Sequence, residues 1–242
     1  MKVEMFNVGW ISSSAAVWRQ GEDPAGRIRF PVPAYLIETA EERILIDTGL
    51  HPRAVADPAA YYGRPEAGLF ELELEQDITQ QLDVSTLTRV VLSHLHFDHA
   101  GALALLPASI PIVIQRREWE GGRDGATIER NFFYPRDYAL DDRDLQLVDG
   151  DHDLLGDGSI QLLSTPGHTP GHQSVRVGER LIIGADVAHF ADTLEDRRFP
   201  SFADDFAAQD RSASRLCRLR DAGAEVRPGH DPEVLRPGPL AL

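Results

Sequence analysis

The sequence predicts an α/β protein in which sheets are layered between helices. Short apolar segments of strand type recur along the chain as far as position 230, with helical patterns among them. Several of these segments stop at a turn carrying a histidine or an aspartate. A rigid sheet edge gathers side chains from distant parts of a chain in this way. With 242 residues, 42% of them hydrophobic, there is enough apolar material for a proper core, and residues 1–242 are expected to form one domain.

Residues 3–8, 34–38 and 43–47 read as strands. Residues 9–29, with Trp10, Trp18, Gly21, Pro24 and Gly26, read as a long loop, as do residues 56–68, with Pro58, Tyr61, Tyr62, Gly63 and Pro65. Leu69, Leu72, Ile78 and Leu82, with acidic residues between them, predict an amphipathic helix over 69–82. Strands follow at 90–93 and 112–115, then at 145–148, 160–164, 174–177 and 181–184 between Gly/Asp turns. Asp204 and Asp205 form an N-cap pair for a helix to Arg220, closed by Asp221-Ala222-Gly223. Cys217 lies in this helical pattern as a small core residue, and as the single cysteine it excludes an internal disulfide. A last apolar segment, 224–230, ends at His230.

The chemistry concentrates after the strand at 90–93. There the chain reads H-x-H-x-D-H, with His94, His96, Asp98 and His99 on the following loop. A lone H-x-H is commonly a chance surface pair. Four ligand-type residues in six are different, because burying three imidazoles and a carboxylate together is costly unless something pairs them. Imidazole nitrogens suit zinc and other first-row metals, and a carboxylate suits the harder end of that range. Other strands supply further donors at or just past their ends: His168 in T-P-G-H-T-P-G-H, Asp186 after I-I-G-A, and His230 in P-G-H. No G-x-S-x-G elbow and no Walker phosphate loop is present.

Charge narrows the function classes. The net charge of −15 argues against nucleic-acid binding by counterion release. No apolar run is long enough to span a bilayer, and residues 1–7 carry no export pattern, so no membrane association and a cytoplasmic location are the expectation.

Taken in order, H-x-H-x-D-H at 94–99, T-P-G-H-T-P-G-H at 165–172, G-A-D at 184–186 and P-G-H at 228–230 resemble the metallo-β-lactamase fold superfamily. I-L-I-D-T-G at 44–49 is similar to that superfamily's early strand ending in Asp-x-Gly, and the match runs from about Pro33 to His230. The narrower resemblance is to the N-acyl-homoserine lactonases, through H-L-H-F-D-H-A-G at 94–101, residues 111–118, residues 165–174 and Gly229-His230-Asp231. It implies a four-layer αββα sandwich and two divalent metal ions, zinc foremost, with cobalt, manganese or iron admitted by the same donors. His94, His96 and His168 would hold the first metal, Asp98, His99 and His230 the second, and Asp186 would bridge them. Such a pair can share a hydroxide that attacks a lactone carbonyl. Asp98 would also help manage protons. His172 matches no ligand position and reads as a partner behind a ligand, or as a turn residue.

In those lactonases the segments corresponding to residues 9–29 and 56–68 wall the acyl-chain pocket and can also meet a partner subunit in a homodimer. Here Leu69, Phe70 and Phe97 are the candidate apolar contacts for the substrate. One departure stands out. Those lactonases carry a Tyr three residues after the bridging Asp, where it is taken to contact substrate, whereas this chain has His189. An imidazole can donate to a developing oxyanion in the Tyr's stead. Otherwise the substrate is another lactone, an ester or a phosphotriester. A catalytically idle binding protein is disfavoured, since a decayed site should have lost at least one of these ligands.

Overall fold

The computed structural model describes residues 1–140 and 143–242. The first sheet contains β1 (Lys2–Ser14), β2 (Arg27–Glu38), β3 (Arg43–Ile46), β4 (Glu71–Glu73), β5 (Arg89–Val91), β6 (Ile112–Gln115) and β7 (Leu145–Val148). The second contains β8 (His152–Asp153), β9 (Ile160–Ser164), β10 (Gln173–Val177), β11 (Leu181–Ala185) and β12 (Glu225–Pro228), and β13 (Gly238–Leu240) returns to the first. The first sheet runs β13-β1-β2-β3-β5-β6-β7 with β4 on β1, and the second runs β12-β11-β10-β9-β8. β3, β5, β6 and β7 are parallel neighbours, as are β11 and β12.

Strand periodicity builds the layers. In β3, Ile44 and Ile46 point into a core between the sheets, where they join Val91, Val113, Leu162 and Val175. Leu45 points to the opposite face and packs with Val90, Ile112, Trp119 and Tyr138 beneath the helices of that side. In β11, Leu181 and Ile183 face the inter-sheet core, while Ile182 faces Ala213 and Leu216 of the helix Phe206–Asp221. Helices therefore cover both outer faces, giving the expected four layers. Strands buried on both sides need apolar residues throughout, which is why these segments read as near-continuous hydrophobic runs.

Three expectations change. Residues 9–29 are not a loop: β1 continues to Ser14 and pairs with β2 from Arg27, and a short helix, Ala15–Trp18, lies between them. The register of β1 against β2 shifts between Asn7 and Trp10, where Gly9 adopts φ 147° and donates its N–H to Asn7 Oδ1. This bulge hides the strand's alternation from a periodicity reading. Residues 56–68 contain the helix Pro58–Tyr62 and most of the 3-10 turn Pro65–Leu69. The predicted helix over 69–82 is divided. Leu69 is exposed, Glu71–Glu73 forms β4 against β1, and a helix Ile78–Gln81 restarts at an Asp77/Gln80 capping box. Glu71 and Glu73 flank a buried Leu72, so the local period there is two and not 3.6.

The Asp205 side chain caps the Phe206–Asp221 helix through Ala208 N–H, as the N-cap pair predicted, and Cys217 is half-buried on that helix. Among the described residues, no helix is long and apolar enough to cross a membrane.

Candidate metal centre

Four turns at the sheet edges converge. The loop after β5 carries His94 and His96 into the short helix Phe97–Ala100, which supplies Asp98 and His99. The turn between β9 and β10 carries His168, β11 ends at Asp186, and β12 ends just before Gly229 and His230. The structure brings together the seven side chains singled out in the sequence. His94, His96, His168 and Asp186 form one group of donors, and Asp98, His99 and His230 form another; within each group the donor atoms lie within 4.8 Å of one another. All seven residues are buried.

Asp186 connects the groups. Its Oδ2 lies 3.4 Å from His168 Nε2 and 3.8 Å from His94 Nε2. Its Oδ1 lies 3.4 Å from His99 Nε2 and 3.3 Å from His230 Nε2. His230 Nε2 is also 3.4 Å from Asp98 Oδ2.

The opposite ring nitrogens are mostly anchored elsewhere. His94 Nδ1 meets Ser93 Oγ at 3.0 Å, His96 Nε2 meets the Asn131 carbonyl at 2.7 Å, His99 Nδ1 meets Asp47 Oδ2 at 2.8 Å, and His230 Nδ1 meets the Pro31 carbonyl at 2.9 Å. A ring that donates outward presents a lone pair inward. His96 Nδ1 consequently faces His94 Nε2 and His168 Nε2, each at 3.0 Å. Mutually facing lone pairs repel unless a cation lies among them. The donor–donor edge of a tetrahedral zinc site with ~2.0–2.1 Å bonds is roughly 3.3 Å, close to these contacts. In the other group, Asp98 Oδ2, His99 Nε2, Asp186 Oδ1 and His230 Nε2 are buried with no hydrogen-bond partner among the described residues. Such orphaned polar atoms are costly unless a ligand satisfies them. The donor set therefore fits divalent metal.

The electrostatics agree. Burial and then the neighbouring imidazoles hold His94 and His168 well below the usual histidine range, and burial pushes His96 down to about 4, so these rings are neutral and ready to coordinate. Burial also pulls on His99 and His230, but Asp186 and Asp98 outweigh it and hold both up. Burial would raise Asp186, yet His189, His230 and His99 hold it well below the carboxylate range.

Several supporting residues gave no signal in the sequence. Glu118 is wholly buried and ties two donor turns together: Oε1 accepts Leu95 N–H at 3.0 Å, between His94 and His96, and Oε2 accepts Gly171 N–H at 2.7 Å. Burial pushes its carboxyl up to about 7. Glu118 entered only as the end of the stretch 111–118 in the resemblance, and nothing in that stretch reveals contacts to either turn. Asp47, noted only as a strand end, backs His99. Gln209 donates to the carbonyls of Asp186 and Val187. His172 does stand behind a donor: its Nε2 accepts the Asp186 N–H at 3.1 Å.

Beside the donors lies a cavity of ≈ 430 Å³ whose lining includes His96, Asp98 and Asp186. Leu69, Phe70 and Phe97 also line it, with Trp18, Phe132 and Phe202 completing a largely aromatic wall. His189 is not among the lining residues. Its ring is wholly buried, with Nε2 3.0 Å from Asp186 Oδ2, so it faces the donor cluster and not the cavity.

The sequence pattern of the metallo-β-lactamase superfamily matches residues 27–239. An N-acyl homoserine lactonase of a Bacillus species is 30% identical over 229 residues, covering 88% of this chain and 86% of its own length. The N-acyl homoserine lactonase AttM of Azorhizobium caulinodans is 30% identical over 223 residues, 84% of this chain and 83% of its own. A solved N-acyl homoserine lactone hydrolase, with N-hexanoyl-L-homoserine as product at its catalytic metal center, superposes with a TM-score of 0.84 at 27% identity over 96% of this chain and 94% of that one. With the pattern matched over most of its length, the chain belongs to the metallo-β-lactamase superfamily of hydrolases.

Proposed function

We propose that this chain is a dinuclear metal-dependent hydrolase that opens the lactone ring of N-acyl-homoserine lactones. The observation that carries the reading is the pair of donor groups sharing Asp186 beside an apolar cavity. His94, His96 and His168 would hold one cation, Asp98, His99 and His230 the other, with Asp186 serving both. Zinc suits this nitrogen-rich set, and cobalt, manganese or iron also fit it. Bound divalent cations supply an activated water and Lewis-acid polarisation of a carbonyl.

The chain's own residues do the rest. Phe70, Phe97 and Leu69 offer apolar surface to an acyl chain and exclude water from it. Asp98, on the cavity lining, is the carboxylate placed to hold or pass a proton during ring opening. Relatives that act on homoserine lactones, and a structural neighbour that holds their product, support the choice of substrate.

The test is turnover of a short- and a long-chain N-acyl-homoserine lactone, followed as proton release, with metal content measured on the same sample. About two metals per chain and kcat/KM of roughly 10⁴ M⁻¹s⁻¹ or more are expected. Two metals with negligible turnover would discard the substrate and direct screening to other lactones, esters and phosphotriesters.

A further inference from the structure

The cavity beside the donors grades from buried to exposed side chains. His96, Asp98 and Asp186 line it and are buried, as are Trp18 and Phe97. Phe70 and Phe202 are half-buried, while Leu69 is 65% and Phe132 41% exposed. Among the described residues away from the chain ends, the large hydrophobic side chains left this exposed are Leu69, Phe132 and Phe206, and the first two line this cavity. Apolar side chains exposed singly need no explanation, but two on one apolar cavity carry its wall out into solvent. The charged lining residues are engaged elsewhere, Arg130 with Asp204 and Glu66 with Arg64.

Phe132 is strained where it stands. It follows the helix Gly125–Asn131 with φ 54° and ψ 37°, in the left-handed region, and its N–H donates to the Ile128 carbonyl. That position suits glycine or asparagine, and a bulky side chain there costs stability. The turn has its own purpose. It leaves the Asn131 carbonyl 2.7 Å from His96 Nε2 and sends Phe133 into the core. Glycine would make the same turn, so the turn does not account for the ring. Nor does the core, because the ring meets Phe202 edge-on at 6.0 Å and stays partly in solvent. What the ring does have is a place on the cavity wall.

We propose that Phe132 and Leu69 set the acyl-chain length, holding the outer part of a long chain so that a decanoyl lactone is preferred over a butanoyl one. The proposal rests on the lactonase reading above. A lactone carbonyl placed at the donors fixes the inner end of the substrate. A butanoyl chain then ends among Trp18, Phe70 and Phe97. The added methylenes of a decanoyl chain lie against the two exposed side chains, which take them out of water. Strain at position 132 is thereby exchanged for selectivity.

The experiment compares kcat/KM for N-decanoyl- and N-butanoyl-homoserine lactone in the parent and in Phe132→Asn, Phe132→Tyr and Leu69→Ser. Asn keeps the left-handed turn, and Leu69→Ser changes an exposed residue should Asn disturb the fold. The decanoyl-to-butanoyl ratio should fall at least about 10-fold in Phe132→Asn and in Leu69→Ser, through the KM of the decanoyl lactone, and recover in Phe132→Tyr. Ratios within about threefold of the parent's in both, where a well-covered methylene alone is worth more, would overturn the proposal. So would an unchanged ratio with a shift from dimer to monomer in sedimentation, which would make the two side chains a subunit contact. If the parent turns over neither lactone, the lactonase reading falls, and the same ratio is read with 4-nitrophenyl decanoate and butanoate. A fall there upholds the chain-length assignment without the lactone, and an unchanged ratio or no turnover overturns it as well.

Discussion

Asp47 stands directly behind His99. Its Oδ2 lies 2.8 Å from the ring Nδ1, and its Oδ1 accepts the Ser93 N–H at 2.7 Å. Asp47 achieves this from the left-handed region, at φ 59°, where the chain turns out of β3. Thr48 adds to the grip, since its N–H and its hydroxyl both donate to the His99 carbonyl. A carboxylate behind a coordinating imidazole fixes the ring's orientation and raises its basicity. Asn also tolerates a left-handed backbone, so Asp47→Asn isolates the charge. Metal affinity at the His99 group should fall about 10–100-fold, read by competition with a chelator. Unchanged affinity would reduce Asp47 to a turn residue.

Glu118 couples the two histidine-bearing turns through the backbone N–H groups of Leu95 and Gly171. Gln has one accepting oxygen where the carboxyl has two, so Glu118→Gln leaves Leu95 or Gly171 with a buried, unpaired N–H. A loss of about 1–3 kcal/mol in unfolding free energy is expected from denaturant titration of the metal-free protein. A midpoint equal to the parent's would show that the clamp contributes nothing.

Gly229 has no room for a side chain. A Cβ there would lie 2.3 Å from Asp186 Oδ1 and 3.1 Å from the Ala185 carbonyl. Gly229→Ala should push the shared carboxylate aside and lower metal content after dialysis at both groups. Full loading in elemental analysis would mean that the turn relaxes without moving Asp186.

Asp186→Ala removes the atoms common to both groups, and His96→Ala removes one corner of the tighter one. Each should abolish metal loading and turnover together. Chelation of the parent should lower its Tm, because metal that binds only the folded chain stabilises it by mass action. An Asp186→Ala protein with two metals and full activity would sink the bridging assignment.

Asp137 supplies the pH dependence. It is 1% exposed, and burial holds its carboxyl well above the usual range against the opposing influence of Tyr62 and Arg136. A carboxyl raised on folding binds more protons folded than unfolded. Its contribution is complete below the unfolded pKa and is lost as pH rises through the folded one. Asp137→Asn carries no charge at any pH. The variant's Tm should gain on the parent's as pH rises from about 5 to 8, the window above an unfolded carboxylate pKa of about 3.9. A pH-independent gap would show that Asp137 is not protonated in the fold.

Elements were legible where one pattern ran without interruption. β6, β7 and β9 begin and end where the apolar runs do, and the Phe206–Asp221 helix starts behind its Asp cap. β1 beyond Gly9 was not legible, because a bulge resets the alternation, and Leu69 to Leu82 misled because β4 and a freshly capped helix share one stretch of leucines and acids.

The amino-acid sequence by itself determined the layered α/β class and the seven candidate donors, since strand periodicity, Gly/Pro turns and a dense H-x-H-x-D-H run are properties of neighbouring residues. The tertiary structure alone decided that Asp47 backs His99, that Glu118 clamps Leu95 to Gly171, and that His189 faces Asp186 and not the cavity. Two of these contacts join residues 52 and 53 positions apart. Hydrogen bonds of that reach depend on how the layers close, and no local pattern of side chains encodes them.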